Sequence, residues 1–197
     1  MNLTGYLKKQ FGNLNSAYHY YVDDLTEEEW LMRPGPDQNR IGYTVWHLPR
    51  TQDHFLNTWI RGATEIAYTE RWSHWEYLKP MGAGIGITLA EADEIARSVR
   101  HADVLAYADE VHQAFLAWLT EVDEDVFDQV PQAEERLAMF PAYQRPRYLK
   151  ETHDFPGLPV WGLLIRPCMA HIHRHLGDVE ITKDVLRKAK QLSYAET

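Results

Sequence analysis

Three histidines stand within five residues in the segment AHIHRHLGD, at positions 171, 173 and 175. On a β-strand all three side chains would share one face, whereas on an α-helix only His171 and His175 stack one turn apart. Apolar residues recur at intervals of three and four from Leu164 to Ala189, which indicates a helix. We therefore expect His171 and His175 to form a pair that can bind a metal ion, and His173 to face solvent.

A third ligand must come from another helix. The best candidate is His47, in the segment TVWHLPRTQD, because it lies beside Val45 and Leu48 on the apolar side of a predicted helix. From the residues alone two alternatives stay open for His47, a metal ligand and a hydrogen-bonded histidine of the core. Zinc, nickel and ferrous iron all accept imidazole ligands, and the spacing does not choose among them.

Helices are the elements that would position these side chains. Apolar residues at intervals of three and four predict amphipathic helices over 3–22 and within 41–61. The pattern continues from 89 to 121, where a straight helix would be about 50 Å long, so we expect a break near Arg100. No segment of useful length alternates as a strand does. The sequence predicts an all-α fold, an antiparallel four-helix bundle with long connections, in one domain over 1–197.

Local signals refine the helix ends and the connections. Thr26 and Thr88 each precede a glutamate by three positions, which is the pattern of a capping box at a helix start, and Gly62 is a plausible helix end. The stretch 63–87 is less clear, with two tryptophans that we expect in the core. The stretch 131–159 carries five of the ten prolines, and it is either a surface connection or a substrate lid.

Two prolines lie close to the candidate ligands. Proline removes one helical hydrogen bond and clashes with the carbonyl group four residues earlier. Pro49 should therefore bend its helix near Val45 or place His47 in the first turn, and Pro167 should distort the helix one turn before His171.

The composition excludes several classes of partner. The formal net charge is −9, from 29 acidic and 20 basic residues, which argues against nucleic acid because phosphate binding needs a positive surface. No apolar run has the roughly 20 residues that span a bilayer, so no membrane partner is expected. Cys168 is the single cysteine, which excludes an internal disulfide and suits a cytoplasmic protein. Its thiol is either a small buried filler or a further ligand.

Two segments resemble the signature motifs of the DinB-like superfamily, especially its DUF664 branch. These are WHLPRTQD at 46–53 and HIHRHLGDVE at 171–180. The likeness extends over most of the chain and leaves 131–159 as the main unmatched part. The resemblance implies a four-helix bundle, often a homodimer, in which three histidines hold a divalent metal. By position in the motifs these are His47, His171 and His175, and three protein ligands would leave a coordination position open.

Further residues of the two motifs are candidates for catalysis. Arg50 and Asp53 either orient the site and bind substrate or form a plain ion pair on the helix surface. Asp178 lies three positions after His175, where it either accepts a proton from a ligand imidazole or is a solvated charge. His54 is about 10.5 Å along the helix from the first ligand, too far to bind the same ion, and we expect it to line the mouth of the pocket.

The chemistry that the resemblance implies is transfer or isomerisation that depends on a small thiol such as bacillithiol or mycothiol. The chain would need no nucleophile of its own, because a metal-bound thiolate would attack the small-molecule substrate. Asp178 and Arg50 would be the catalytic residues. Hydrolysis by a metal-activated water is an alternative reaction. A non-enzymatic alternative is a metal-binding stress or interaction protein whose ion joins two helices.

Overall fold

Helices form all the regular structure in the described part of the chain. The computed structural model describes residues 2–195, with side chains up to residue 191, and that range contains no strand, which confirms the all-α class. Within it, no helix is both long enough and apolar enough to cross a bilayer. In chain order the α-helices are α1 (Leu3–Val22), α2 (Glu27–Trp30), α3 (Ile41–Asp53), α4 (Leu89–Ser98), α5 (His101–Glu121), α6 (Glu134–Ala138), α7 (Pro146–Thr152), α8 (Val160–Ile165) and α9 (His171–Ala195).

Shorter helical segments of other types connect them. The 3₁₀-helices are Ile66–Tyr68, Glu70–Met81, Glu124–Asp128 and Pro141–Gln144. The π-helices are His54–Arg61, which directly continues α3, and Arg166–Ala170, which joins α8 to α9. Gly62 ends the first π-helix in the left-handed conformation, with φ of 64°, as its position in the sequence predicts.

The predicted helix starts and the predicted break are confirmed. Thr26 and Glu29 form a complete capping box at α2, and Thr88 and Glu91 form another at α4. Val99, between α4 and α5, has extended backbone angles that interrupt what would otherwise be one long helix. Helix α4 packs against α3, whereas α5 packs against both α1 and α3.

The long helices pack so that α3 and α9 are neighbours. Helix α1 contacts α5 and α9, and α3 contacts the same two helices. Phe11 of α1 stacks on Phe115 of α5 with ring centroids 4.4 Å apart, and both rings are buried. Trp46 of α3 and Leu176 of α9 are also buried in this core. The packing places the candidate ligands of α3 and α9 in adjacent helices.

Pro49 lies within α3, where the Val45 carbonyl group has a replacement hydrogen-bond donor. Helix α3 continues on both sides of Pro49, and His47 is its seventh residue, so the expectation of a first-turn position is wrong. The Val45 carbonyl group, which cannot receive an amide hydrogen from Pro49, instead accepts a hydrogen bond from the Tyr18 hydroxyl at 3.2 Å. A side chain of α1 therefore replaces the missing helical hydrogen bond.

The distortion predicted at Pro167 is confirmed. Pro167 lies inside the π-helix Arg166–Ala170, so the backbone is wider than an α-helix in the turn before His171. The other wide turn, His54–Arg61, begins only after α3 has ended. Both helices that carry candidate ligands thus adjoin a π-helix, but only the π-helix before α9 contains a proline.

The proline-rich stretch 131–159 is more than a surface connection. It forms short helices, and its Tyr143 and Tyr148 are each only 1% exposed. Tyr143 also packs against Gly82, where a Cβ atom would lie 2.5 Å from the tyrosine ring, so only glycine fits there. The stretch is bound to the core through these aromatic side chains, which corrects the surface-loop alternative.

Candidate metal centre

Three imidazoles from α3 and α9 meet in the structure. One ring nitrogen from each of His47, His171 and His175 lies within 4.8 Å of the others. The Nε2 atoms of His47 and His171 are 3.1 Å apart, and the rings of His171 and His175 are 4.5 Å apart at their centroids. Side chains separated by more than 120 residues of sequence thus form one cluster, as the motifs predict. In the described part of the chain, no other group of histidine, cysteine and carboxylate side chains has this geometry.

Hydrogen bonds fix which nitrogen of His47 faces the cluster. Its Nδ1–H donates to the Ala83 carbonyl oxygen at 2.7 Å, which leaves the Nε2 lone pair directed at the other imidazoles. The Tyr43 ring stacks on His47, with centroids 5.6 Å apart and planes at 11°. The Tyr43 hydroxyl also donates to the Gly84 carbonyl oxygen at 2.7 Å, which holds the glycine-rich loop 82–86, GAGIG, against His47.

Asp178 has the equivalent role at His175. Its Oδ2 atom accepts a hydrogen bond from His175 Nδ1–H at 3.0 Å, and the carboxylate is otherwise largely exposed. Both alternatives predicted for Asp178, proton acceptor and solvated charge, therefore hold at once. His173 is exposed, as the helical spacing predicts. Cys168 is fully buried and is not part of the cluster, and burial raises the pKa of its thiol, which identifies it as a filler of the core.

The environment keeps the three imidazoles neutral. Burial lowers the pKa of His47 to about 4, and burial together with the neighbouring histidines lowers the pKa of His171 to about 2. Burial also lowers the pKa of His175, and the hydrogen bond to Asp178 opposes that effect in part. Neutral imidazoles have free lone pairs at neutral pH, which is the state that binds a metal.

A cleft of about 350 Å³ adjoins the cluster. His47 and His171 form part of its wall. Its other lining residues come from α3, α9, the two π-helices, the loop before α4 and the proline-rich stretch: Thr51, Phe55, Ile85, Glu151, Phe155, Arg166, Pro167 and Arg174. The cluster is therefore reachable by a small molecule from this side.

Comparison with known families agrees with this geometry. A sequence model of the DinB superfamily matches residues 10–179, a range that includes all three histidines. The chain belongs to the DinB superfamily. A search of curated proteins found no match.

A buried ionic network lies close to the histidine cluster of this DinB-superfamily protein. Arg50 is 1% exposed, and its guanidinium donates to Asp53 at 2.9 Å and to Glu65 at 2.6 Å. The Arg50 guanidinium also donates to the Gly82 carbonyl oxygen at 3.3 Å, next to the carbonyl group that binds His47. The alternative of a surface ion pair is therefore wrong, because Arg50 and Asp53 are both buried.

Glu65 is the residue on which this network converges. Besides Arg50, its carboxylate accepts hydrogen bonds from His54, Thr58 and Tyr143. Burial alone would raise the pKa of Glu65, but Arg50 and His54 outweigh it and hold the pKa below the usual range. No sequence motif marks Glu65, because it lies in the stretch 63–87 where no periodicity is clear.

His54 is not at the mouth of the pocket, which corrects the prediction. It is fully buried, its Nδ1–H donates to Glu65 at 2.9 Å, and its Nε2 accepts from the Tyr148 hydroxyl at 2.8 Å. Arg50 does not line the cleft either. The structure thus places Arg50, Asp53 and His54 in a buried network outside the cleft, where Arg50 also contacts the Gly82 carbonyl group.

Proposed function

We propose that this DinB-superfamily protein is a metal-dependent enzyme that acts on a small molecule. Its divalent ion, zinc, nickel or ferrous iron, is held by His47, His171 and His175. Small-thiol-dependent transfer or isomerisation is the proposed reaction, and hydrolysis of a small ester is the related alternative. The observation that carries the proposal is the convergence of three neutral imidazoles beside an open cleft.

The donor set suits such an ion. Each imidazole offers a lone pair, and the Nδ1–H groups of His47 and His175 are each bound to an oxygen acceptor, which raises ligand basicity and fixes ring orientation. A divalent metal in a three-histidine site lowers the pKa of a bound thiol or water and so supplies a nucleophile at neutral pH.

The residues around the ligands would hold protons and orient the reactants. Asp178 keeps the proton on His175 Nδ1 and has an exposed carboxylate that can exchange protons with solvent. Phe55 and Phe155 present aromatic rings to the cleft and would exclude water from its inner part. Arg50 acts through the Gly82 carbonyl group as a positioning residue in this proposal.

A second candidate is a structural ion that joins two helices. His47 belongs to α3, whereas His171 and His175 begin α9, so a bound metal would connect them. In that case metal would raise the melting temperature without any turnover. The cleft beside the cluster favours the enzymatic function over this one, because a structural site needs no access to solvent.

The test combines metal loading with a screen for turnover. Protein reconstituted with zinc, nickel or ferrous iron is mixed with bacillithiol, mycothiol or glutathione and the electrophile 1-chloro-2,4-dinitrobenzene. A parallel assay offers 4-nitrophenyl acetate for hydrolysis. We expect turnover by the wild type, its loss in His171→Ala, and its retention in His173→Ala, because His173 is an exposed histidine of the same helix. Bound metal without turnover of any thiol or ester would favour the structural ion.

Three further expectations belong to this proposal. The antiparallel order of a four-helix bundle and a homodimeric state rest on the resemblance to the family. A cytoplasmic location rests on the single cysteine, since a reducing compartment needs no disulfide. Light scattering of the purified protein tests the dimer, and a mass of one chain would refute it.

A further inference from the structure

Arg174 is an unusual arginine in this acidic chain. It lines the cleft beside the cluster, and its guanidinium has one polar contact, Nη2 to Nε2 of His175 at 3.4 Å. Every other arginine in the described part of the chain lies against a carboxylate, an amide oxygen or a backbone carbonyl oxygen, as the bonds of Arg61 and Arg136 illustrate. Arg174 therefore has donors that no oxygen of the protein satisfies.

A second guanidinium lies in the same cleft. Arg166 stacks over the ring of Phe155, with its Cζ atom 5.3 Å from the ring centroid, and its contact with Asp154 is long at 3.4 Å. Stacking on an aromatic face holds the planar guanidinium and leaves its edge free to donate. The Phe155 ring is itself packed edge-on against Phe55, at 5.1 Å between centroids, so this wall of the cleft is fixed.

The remaining walls combine apolar surface with one opposite charge. Phe55, Phe155 and Ile85 supply apolar contacts, and Glu151 supplies one carboxylate. Two arginines against one glutamate give the lining a net positive charge, within a chain whose formal net charge is −9. A local positive site in an acidic protein selects against cations and attracts anions.

We propose that this cleft binds an organic anion, with a carboxylate, sulfonate or phosphate group on Arg174 and Arg166 and an apolar body against Phe55 and Phe155. The inference deepens the proposed function, because it states the class of small molecule that the metal centre would act on. Guanidinium groups bind such anions by charge-assisted hydrogen bonds, often two at a time.

The contact between Arg174 and His175 links this site to the metal centre. Nδ1 of His175 is committed to Asp178, so Nε2 carries the only lone pair that the imidazole can give to a metal. The Arg174 guanidinium donates to that same atom. A metal on Nε2 would therefore displace this donor, and metal loading should increase the affinity of the cleft for an anion.

The binding test uses a matched pair of fluorescent probes. The anion is 8-anilinonaphthalene-1-sulfonate, and N-phenyl-1-naphthylamine has the same ring system without the charge. Titrations are performed on the full chain, first without metal and then with zinc. We expect the sulfonate to bind more tightly than the neutral probe, and zinc to tighten the binding of the sulfonate alone.

Variants assign the effect to the cleft. Arg174→Gln and Arg166→Gln should each weaken sulfonate binding by about tenfold and leave the neutral probe unchanged, as expected for one charge-assisted hydrogen bond. Glu151→Gln should strengthen sulfonate binding by about twofold to fivefold, because it removes a like charge. Arg97→Gln, an exposed arginine that lies outside the cleft, is the control and should change nothing.

The outcomes separate this inference from the proposed function. Equal affinity for the two probes, or sulfonate binding that is the same in Arg174→Gln, Arg166→Gln and wild type, would overturn the anion site even if metal binds. Failure of the three histidines to bind metal would refute the proposed function, whereas the probe titrations without metal would still decide the anion site. Circular dichroism of each variant checks that the fold is retained.

Discussion

Replacement of Arg50 by methionine should strongly destabilise the protein. Methionine keeps most of the length and apolar surface of the side chain but removes the buried positive charge. In the structure that charge faces Asp53 at 2.9 Å and Glu65 at 2.6 Å, and all three side chains are at most 1% exposed. The variant therefore leaves two buried carboxylates without a counter-charge.

The expected loss of stability follows from the hydrogen bonds that the two carboxylates retain. Asp53 keeps donors from Asn57, Tyr107 and the backbone amides of Ile66 and Ala67, and Glu65 keeps those of its other partners. Hydrogen bonding thus survives, and the loss is mainly that of the buried ion pair. Breaking such a pair costs about 3–5 kcal/mol, a large part of a total stability of roughly 5–15 kcal/mol. The melting temperature should fall by about 6–20 °C.

Urea unfolding followed by circular dichroism measures this loss. Arg97→Met is the matched control, because its side chain is 58% exposed and its contact with Asp93 is 3.5 Å long, so it should lose less than about 1 kcal/mol. Adding Glu65→Gln to the Arg50→Met variant removes one of the two unpaired charges. The double variant should recover at least about 1 kcal/mol relative to Arg50→Met alone.

Two results would refute this reasoning. One is an Arg50→Met protein with stability within about 1 kcal/mol of the wild type, which would mean that the carboxylates do not depend on the cation. The other is a double variant whose free energy of unfolding lies below that of Arg50→Met by as much as Glu65→Gln alone lowers that of the wild type. Simple addition of the two losses would show that the two side chains are not coupled.

Three further perturbations test other parts of the structure. Tyr18→Phe should lower the free energy of unfolding, measured in urea, by about 1–2 kcal/mol. The loss should be smaller in a Pro49→Ala background, because the new amide at position 49 can donate to the Val45 carbonyl group. Equal losses in the two backgrounds would contradict this account. Hydrogen bonds to two aspartates outweigh burial and raise the pKa of His19. The protonated imidazole therefore stabilises the fold fully below about pH 6.5, and this stabilisation is lost as pH rises through the folded-state pKa. The difference in melting temperature between wild type and His19→Gln should therefore shrink from about pH 5.5 to about pH 8.5, and a constant difference would argue against the charge. Asp178→Ala should weaken zinc affinity by about 10–100-fold in a chelator competition, and unchanged affinity would exclude the carboxylate from the metal centre.

The long helices and the pair of His171 and His175 were predictable because both follow from short-range patterns. Periodicity of three and four identified the long helices, and helical stacking joined His171 to His175 while it excluded His173. The apolar helix face made His47 the best candidate for a third ligand, but only the resemblance of its motif to the family favoured a ligand over a histidine of the core. The Pro167 distortion was local and was therefore also predictable.

The parts that sequence patterns missed depend on contacts between distant segments. The Tyr18 hydroxyl that donates to the Val45 carbonyl group comes from another helix, so the sequence around Pro49 does not reveal this replacement donor. Glu65 and Tyr143 come from stretches without periodicity, and their hydrogen bonds turned Arg50 and His54 away from the cleft. Charged residues next to a ligand motif can thus support the backbone rather than the chemistry.

Metal content is the most direct test of the central claim that three imidazoles from two helices share one cation. Purified protein, stripped and then reconstituted with zinc, is analysed by inductively coupled plasma mass spectrometry together with His47→Ala, His171→Ala and His173→Ala. We predict about one ion per chain for the wild type and for His173→Ala, and a large loss of bound zinc in the other two. Equal zinc content in all four proteins, or none in the wild type, would contradict the account.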